Sequence, residues 1–306
     1  MSESTIVLIN QIIMMFIVMI LGLVLYKAKW IDARGASQMA DVVIYVSTPC
    51  LTVQSLFVAF EPEVLVNALF CFLVTFIIML ASIALAHGVF RKPESGLARY
   101  GVVFSNCGFI GIPLVRSVLG PEMVFQLTAS NLASTILVWT YGVLQISGDK
   151  SQVSVKNILL NPAIFSLFIG LACFLTGFRF PEPVTMAIES LGDVNTGLVM
   201  LVLGTYLGQV DFQRLIVQPR MYQVSFLRLV VIPLATVGFM LLFPTVAADV
   251  RLTVIIAIAA PAAALTAVFA KKYGKDSELG VGLVAFTTLL SMVSMPLVLG
   301  LALAVI

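Results

Sequence analysis

Apolar residues in this chain gather in stretches long enough to cross the roughly 30 Å hydrocarbon core of a bilayer. They occupy residues 5–26, 36–59, 64–90, 95–119, 122–146, 158–177, 183–209, 220–243, 249–273 and 278–304, so the pattern predicts ten transmembrane helices. Two of the stretches are interrupted partway: the fourth by Ser105-Asn106-Cys107-Gly108-Phe109-Ile110-Gly111-Ile112-Pro113, and the ninth, about 155 residues later, by Ala259-Ala260-Pro261-Ala262-Ala263-Ala264-Leu265-Thr266. A helix broken at membrane depth leaves backbone N–H and C=O groups without partners, which is tolerated only where protein or a polar cavity satisfies them. Breaks in corresponding places of two halves therefore predict a substrate site.

Composition sharpens the class. The chain is 60% hydrophobic and 10% charged, with a mean hydropathy of +1.11, outside the range of soluble globular domains. No loop can hold a soluble domain, so residues 1–306 form a single membrane domain. The segment before the first span has no Lys or Arg, and Lys27 and Lys29 follow it, which predicts a retained span with its N-terminus outside rather than a cleaved signal. With ten spans, alternate loops then face the cytoplasm. They hold Lys27, Lys29, Arg34, Arg91, Lys92, Arg99, Lys150, Lys156, Arg214, Arg220, Lys271, Lys272 and Lys275, 13 of the 17 basic residues, against Arg179 and Arg251 outside. That bias places both termini outside a cell inner (plasma) membrane. The net charge of +2 is thus sorted by topology and gives no sign of a nucleic-acid partner. Cys50, Cys71, Cys107 and Cys173 lie in apolar spans at irregular separations, so neither a disulfide framework nor a metal site is readable.

Five spans per half is an odd number, so two similar halves must enter the membrane in opposite orientation. Residues 1–146 form the first repeat and 158–306 the second, inverted one. Gly120-Pro121-Glu122 after the fourth span corresponds to Gly274-Lys275-Asp276-Ser277-Glu278 after the ninth. A shift of about 156 aligns Asn131 with Thr287 and Thr135 with Ser291. Thr128, Asn131 and Thr135 share one helix face in span five, as Thr287, Ser291 and Ser294 do in span ten. Such faces serve either as interhelical glue or as ligands for a coupling ion.

Where the broken spans meet, two helix N-termini carry free N–H donors and about half a positive charge each, which suits a carboxylate. The two C-terminal ends offer carbonyls to a cation. Asn106 can donate and accept at the break, Gly108 and Gly111 allow close approach, Pro113 removes a helical donor, and Pro261 marks the second break. Among intramembrane charges, Glu189, Asp193 and Thr196 fall on one face of span seven. Asp193 lies deeper, where desolvation makes it a candidate proton carrier or a hydrogen-bonded structural residue. Arg116 is placed to attract an anion on the outer path or to snorkel, Arg228 to snorkel toward the cytoplasm, and His87 to sit at the interface.

These residues resemble the auxin efflux carrier family, part of the larger group that includes bile acid and sodium symporters. Asn106 to Leu114 is similar to the family's Asn-x-Gly-Phe-(Leu/Ile)-Gly-(Ile/Val)-Pro-Leu stretch, and Pro261 with Phe269-Ala270-Lys271-Lys272-Tyr273 to its Pro…Phe-Ala-Lys-x-Tyr segment. Leu191-Gly192-Asp193, Asn161-Pro162 and Pro49 also fit. The resemblance implies an all-α fold of ten helices in two inverted five-helix repeats, with broken helices four and nine crossing at the substrate site. It further implies substrate contacts at Asn106, the helix-four break and Asn161, an organic anion as substrate, and a homodimer. Plant members carry proline at the position of Thr266 and a long central loop; here that loop is about a dozen residues. The chain therefore looks more like short bacterial members, for which malate- or malonate-like dicarboxylates are the usual suggestion.

The expectation is a secondary carrier of small organic anions by alternating access. Asn106, Cys107, Gly108, Gly111, Pro113, Asn161, Pro261 and Thr266 would serve the substrate, and Asp193, Thr128, Asn131, Thr135, Thr287 and Ser291 a coupling Na⁺ or H⁺. No cofactor motif is present. The alternative class, a membrane-embedded hydrolase or acyltransferase, lacks a His-Glu-x-x-His motif, a Gly-x-Ser-x-Gly elbow and a base for a nucleophile; Asp41 is a weak partner for Asp193.

Overall fold

The computed structural model describes residues 3–57, 61–153, 162–209 and 218–306. Among them every regular element is a helix, apart from one isolated antiparallel bridge between Ser105 and Ala262. In order, the helices are α1 (Glu3–Lys27), α2 (Ala33–Val42), α3 (Thr48–Gln54), α4 (Pro62–Val89), α5 (Gly96–Val103), α6 (Ile112–Val118), α7 (Val124–Leu137), α8 (Val143–Ser147), α9 (Pro162–Thr176), α10 (Glu182–Asp193), α11 (Asn195–Gly208), α12 (Pro219–Phe226), α13 (Ile232–Met240), α14 (Ala248–Ala259), α15 (Leu265–Lys272) and α16 (Ser277–Val305). Six continuous helical stretches of the described residues are long and apolar enough to cross a membrane: Asn10–Lys27, Pro62–Val89, Pro121–Ser147, Glu182–Gly208, Pro219–Met240 and Ser277–Val305.

The burial pattern is that of a protein embedded in lipid. On α4, Val66, Leu69, Leu73, Ile77 and Leu80 repeat at three- and four-residue spacing and all are exposed, while the opposite face buries Ala68, Cys71, Thr75, Ser82 and Ala86 together with Val74, Ile78 and Met79. A face of large apolar side chains turned outward, with these small and polar residues turned inward, suits an apolar solvent.

Proline shapes several helices. Wide π turns at Val43–Ser47, Cys107–Gly111 and Leu227–Val231 each end two residues before a proline: Pro49, Pro113 and Pro233. Proline has no N–H to give, and its ring presses on the carbonyl four residues back, so a widened turn ahead of it relieves the clash and keeps the helix going. A fourth π turn, Val138–Gly142, has no proline and packs its glycine on aromatic rings; a Cβ on Gly142 would lie 2.8 Å from Tyr100 and 3.0 Å from Phe104.

The helices pack in two groups. One holds α1, α2, α3, α9, α10 and α11; the other holds α4 to α8 and α12 to α16. The groups touch where α1 meets α6 and α16, where α11 meets α16 and the π turn Cys107–Gly111, and where α9 meets α7. Within the first group α1 and α11 come backbone to backbone. A Cβ on Gly204 would run into the Met19 carbonyl and lie 2.8 Å from the Leu23 nitrogen, and one on Gly208 would be 2.7 Å from the Tyr26 ring. Gly22 meets the Leu201 carbonyl in the same way. Close approach of this kind lets dispersion hold helices together in lipid.

Because the obstacle at Gly204 is backbone and not a yielding side chain, Gly204→Leu should destabilise the protein by about 3 kcal/mol or more. Thermal unfolding in detergent checks this, with Gly238→Leu as the neutral control, since nothing lies within 4 Å of a Cβ there.

Candidate functional site

Both expected breaks are present, and they face each other. α5 ends at Val103, after which Phe104 is extended and Asn106 turns into the π-helical start of the next segment, where the Ile110 N–H reaches the Asn106 carbonyl at 2.9 Å. α14 ends at Ala259, followed by extended Ala260 and then Pro261 to Ala264 before α15. The two extended pieces cross antiparallel. Asn106 N–H donates to the Pro261 carbonyl at 2.8 Å, and Ala263 N–H donates to the Phe104 carbonyl at 2.9 Å. Ala262 N–H donates to the Thr287 hydroxyl at 3.1 Å, which in turn donates to the Leu283 carbonyl at 2.7 Å. Each half-helix thus supplies what the other's break leaves unmet.

The remaining carbonyls go to one side chain. Arg228, fully buried, donates from Nε to the Ala260 carbonyl at 3.1 Å and from Nη1 to the carbonyls of Val102 and Val103, both at 3.1 Å. Its Nη2 donates to the Ile258 carbonyl. One guanidinium therefore closes the C-terminal ends of α5 and α14 together. This corrects two sequence expectations: Arg228 does not snorkel to the cytoplasmic face, and these carbonyl ends are occupied by arginine.

A cavity of about 150 Å³ opens beside the crossing, smaller than the roughly 300–1,000 Å³ of drug-sized pockets. Its polar wall is Thr48, Ser105, Asn106, Asn131, Ser134 and Thr135. Its apolar wall includes Phe109, Val138, Trp139, Val202, Ala263, Leu265 and Val268, with Tyr206 at one side. Asn106 is only 6% exposed, and its Nδ2 has no hydrogen-bond partner, an expensive state that a bound acceptor would relieve. Asn131 accepts a hydrogen bond from the Cys107 thiol at 3.3 Å. Beyond the cavity, the Lys272 ammonium lies 6.0 Å from the Trp139 ring centre, so the pocket extends toward the end of the bundle that carries Lys271 and Lys272.

Of the expected substrate residues, Asn106 and Gly108 line the cavity. Cys107, Gly111 and Pro113 are buried behind it, Pro261 contributes its carbonyl to the crossing, and Thr266 is buried with its hydroxyl on the Ala263 carbonyl at 2.7 Å. Asn161 lies outside the described residues. Of the expected ion residues, Asn131 and Thr135 reach the cavity, Thr128 bonds the Val124 carbonyl within its own helix, and Ser291 bonds the Thr288 carbonyl beside a small apolar pocket. Asp193 is elsewhere. Glu189 and Asp193 are exposed and Thr196 is half-buried on the continuous helical stretch Glu182–Gly208. The Asp193 side chain is 55% exposed and pairs with Arg116 at 2.9 Å, which corrects its expected deep burial. This ion pair ties the first helix group to the second at the far end of α6. His87 is exposed at the end of α4, with Nε2 2.9 Å from the Tyr141 hydroxyl. Sequence reading missed Thr48, Ser105, Ser134, Trp139 and Tyr206 as cavity residues; only Ser105, inside the interrupted stretch, carried a readable signal.

A family model described as membrane transport protein matches residues 7–299. An uncharacterized transporter of Methanothermobacter thermautotrophicus is 25% identical over 300 residues, covering 94% of this chain and 96% of that protein.

Gly108 lets Asn131 come close: a Cβ there would be 3.4 Å from Asn131 Nδ2, an ordinary contact, but a larger side chain would collide. Gly108→Ala should therefore keep ligand binding, and Gly108→Val should displace Asn131 and weaken it by roughly 10-fold or more, at about 1.4 kcal/mol per tenfold. Binding isotherms of the two purified variants compare them directly.

Proposed function

The chain belongs to the membrane transport protein family, the auxin efflux carriers, and we propose that it is a secondary carrier of small organic anions across the cytoplasmic membrane. In this reading ten spans form two inverted five-helix repeats, with both termini outside. One helix group moves against the other, so that the crossing faces each side of the membrane in turn. The antiparallel bridge between Ser105 and Ala262 supports the inverted arrangement, and the distribution of basic residues supports the orientation.

The observation that carries the proposal is the unpartnered, buried Asn106 amide at a cavity where two half-helices begin. The Cys107–Val118 segment and α15 both start at its edge, so their free N–H groups and positive ends favour a carboxylate. Of the two solute classes the sequence suggests, the cavity fits a carboxylate with a compact apolar body better than a dicarboxylate. No Lys, Arg or His is among its lining residues to receive a second charge, and Trp139, Phe109, Val138, Val202 and Val268 offer apolar contact.

Purified protein in proteoliposomes should accumulate or release labelled indole acetate, malonate or malate, tested with and without a pH or Na⁺ gradient. Asn106→Ala should weaken binding of the carried anion roughly 10- to 100-fold, the worth of a hydrogen bond to a charged group (about 1.5–3 kcal/mol), without changing the thermal midpoint. Movement of none of these anions, or unchanged affinity in Asn106→Ala, would remove the crossing from the mechanism.

A further inference from the structure

We propose that Arg228 is the resident cation of the crossing: a fixed positive charge, seated on the C-terminal ends of both broken helices, that makes the site selective for an anion without a bound metal ion. The inference rests on the anion-carrier reading and adds the residue that sets the sign of the site.

The charge balance of the crossing leads to it. Each helix terminus carries about half an elementary charge, positive at the N-terminus and negative at the C-terminus. Four termini meet here, two of each kind, so the backbone alone sums to about zero. The two negative ends are those of α5 and α14, and Arg228 places its single positive charge on both of them through the carbonyls of Val102, Val103, Ile258 and Ala260. Two half charges match one guanidinium. What remains are the two positive ends, at Cys107 and Leu265, which border the cavity together with the unpartnered Asn106 amide. The crossing as a whole carries about one positive charge.

Among the described residues no carboxylate pairs with Arg228, whose hydrogen bonds all go to carbonyl oxygens. A cation this deeply buried persists only where dipoles replace its lost hydration. The planar fork of arginine reaches four carbonyls on two helices, which the point charge of lysine cannot do with the same geometry. The π turn at Leu227–Val231, set by Pro233, carries Arg228 on the helical segment packed against α5. A Na⁺ ion would use the same carbonyls for the same electrostatic purpose, and Arg228 already holds them.

Two variants separate charge from hydrogen bonding. Arg228→Gln keeps donors and loses the charge; Arg228→Lys keeps the charge and loses the fork. In proteoliposomes with Na⁺ or choline as the only added cation, the wild type should show the same KM for its anion in both. Arg228→Gln should raise KM roughly tenfold or more with Vmax within about twofold, and Na⁺ but not choline should restore part of the affinity. Arg228→Lys should stay within about threefold of wild type. A purely structural role would lower Vmax in both variants and leave the Na⁺ and choline curves superimposed. An unchanged KM in Arg228→Gln, or a wild-type KM that needs Na⁺, would overturn the proposal. Thermal unfolding of detergent-purified Arg228→Gln in Na⁺ against choline needs no substrate. Stabilisation by Na⁺ alone supports the resident cation even if no tested anion is carried, in which case it is the carrier reading that falls; no difference between the salts refutes the resident cation.

Discussion

A peptide group in hydrocarbon can send its hydrogen bond only to another part of the protein, and the centre of this molecule is arranged around that constraint. Interrupting α5–α6 and α14–α15 strips several such groups of their helical partners. The remedy is mutual: a short antiparallel crossing pairs Asn106 with Pro261 and Ala263 with Phe104, a threonine hydroxyl takes up the Ala262 N–H, and one guanidinium gathers the carbonyls that are left. With the backbone at the crossing paired in this way, the Asn106 side-chain amide remains a buried donor with no acceptor beside the cavity.

Both breaks and the six long apolar stretches were legible in the sequence because apolar length and clustered Asn, Gly and Pro report on local chain behaviour. Tertiary placement was less so. Arg228 lies about two turns inside its span, and span position alone could not tell an interior arginine from one that stretches to the interface; only the neighbouring helix ends decide. The position of Asp193 along its span predicts depth but not which neighbour faces it, and the carboxylate lies partly exposed beside Arg116. The paired polar faces of spans five and ten proved unequal. Asn131 and Thr135 reach the cavity, whereas the Thr287 hydroxyl supports the second break. Both meanings of a polar face thus occur in one protein, and pattern alone could not divide them.

The crossing is symmetric in its backbone and lopsided in its side chains. Thr48, Ser105, Asn106, Asn131, Ser134 and Thr135, all from the first half of the chain, supply the polar wall. The second half answers with Ala263, Ala264, Leu265, Val268 and Val202, and only Tyr206 adds a hydroxyl. The two halves thus share paired breaks while the first supplies polar contact and the second mainly shape.

The tie between Arg116 and Asp193 has a bearing on throughput. Both side chains are partly exposed, 40% and 55%, and where such a pair meets water it contributes only about 0–1 kcal/mol. The proposed carrier would alternate between two orientations and would stall if either became a deep well, since each 1.4 kcal/mol of bias changes the occupancy ratio about tenfold. A feeble clasp of this kind would leave the two orientations close in energy, and its grip would loosen further as ionic strength rises.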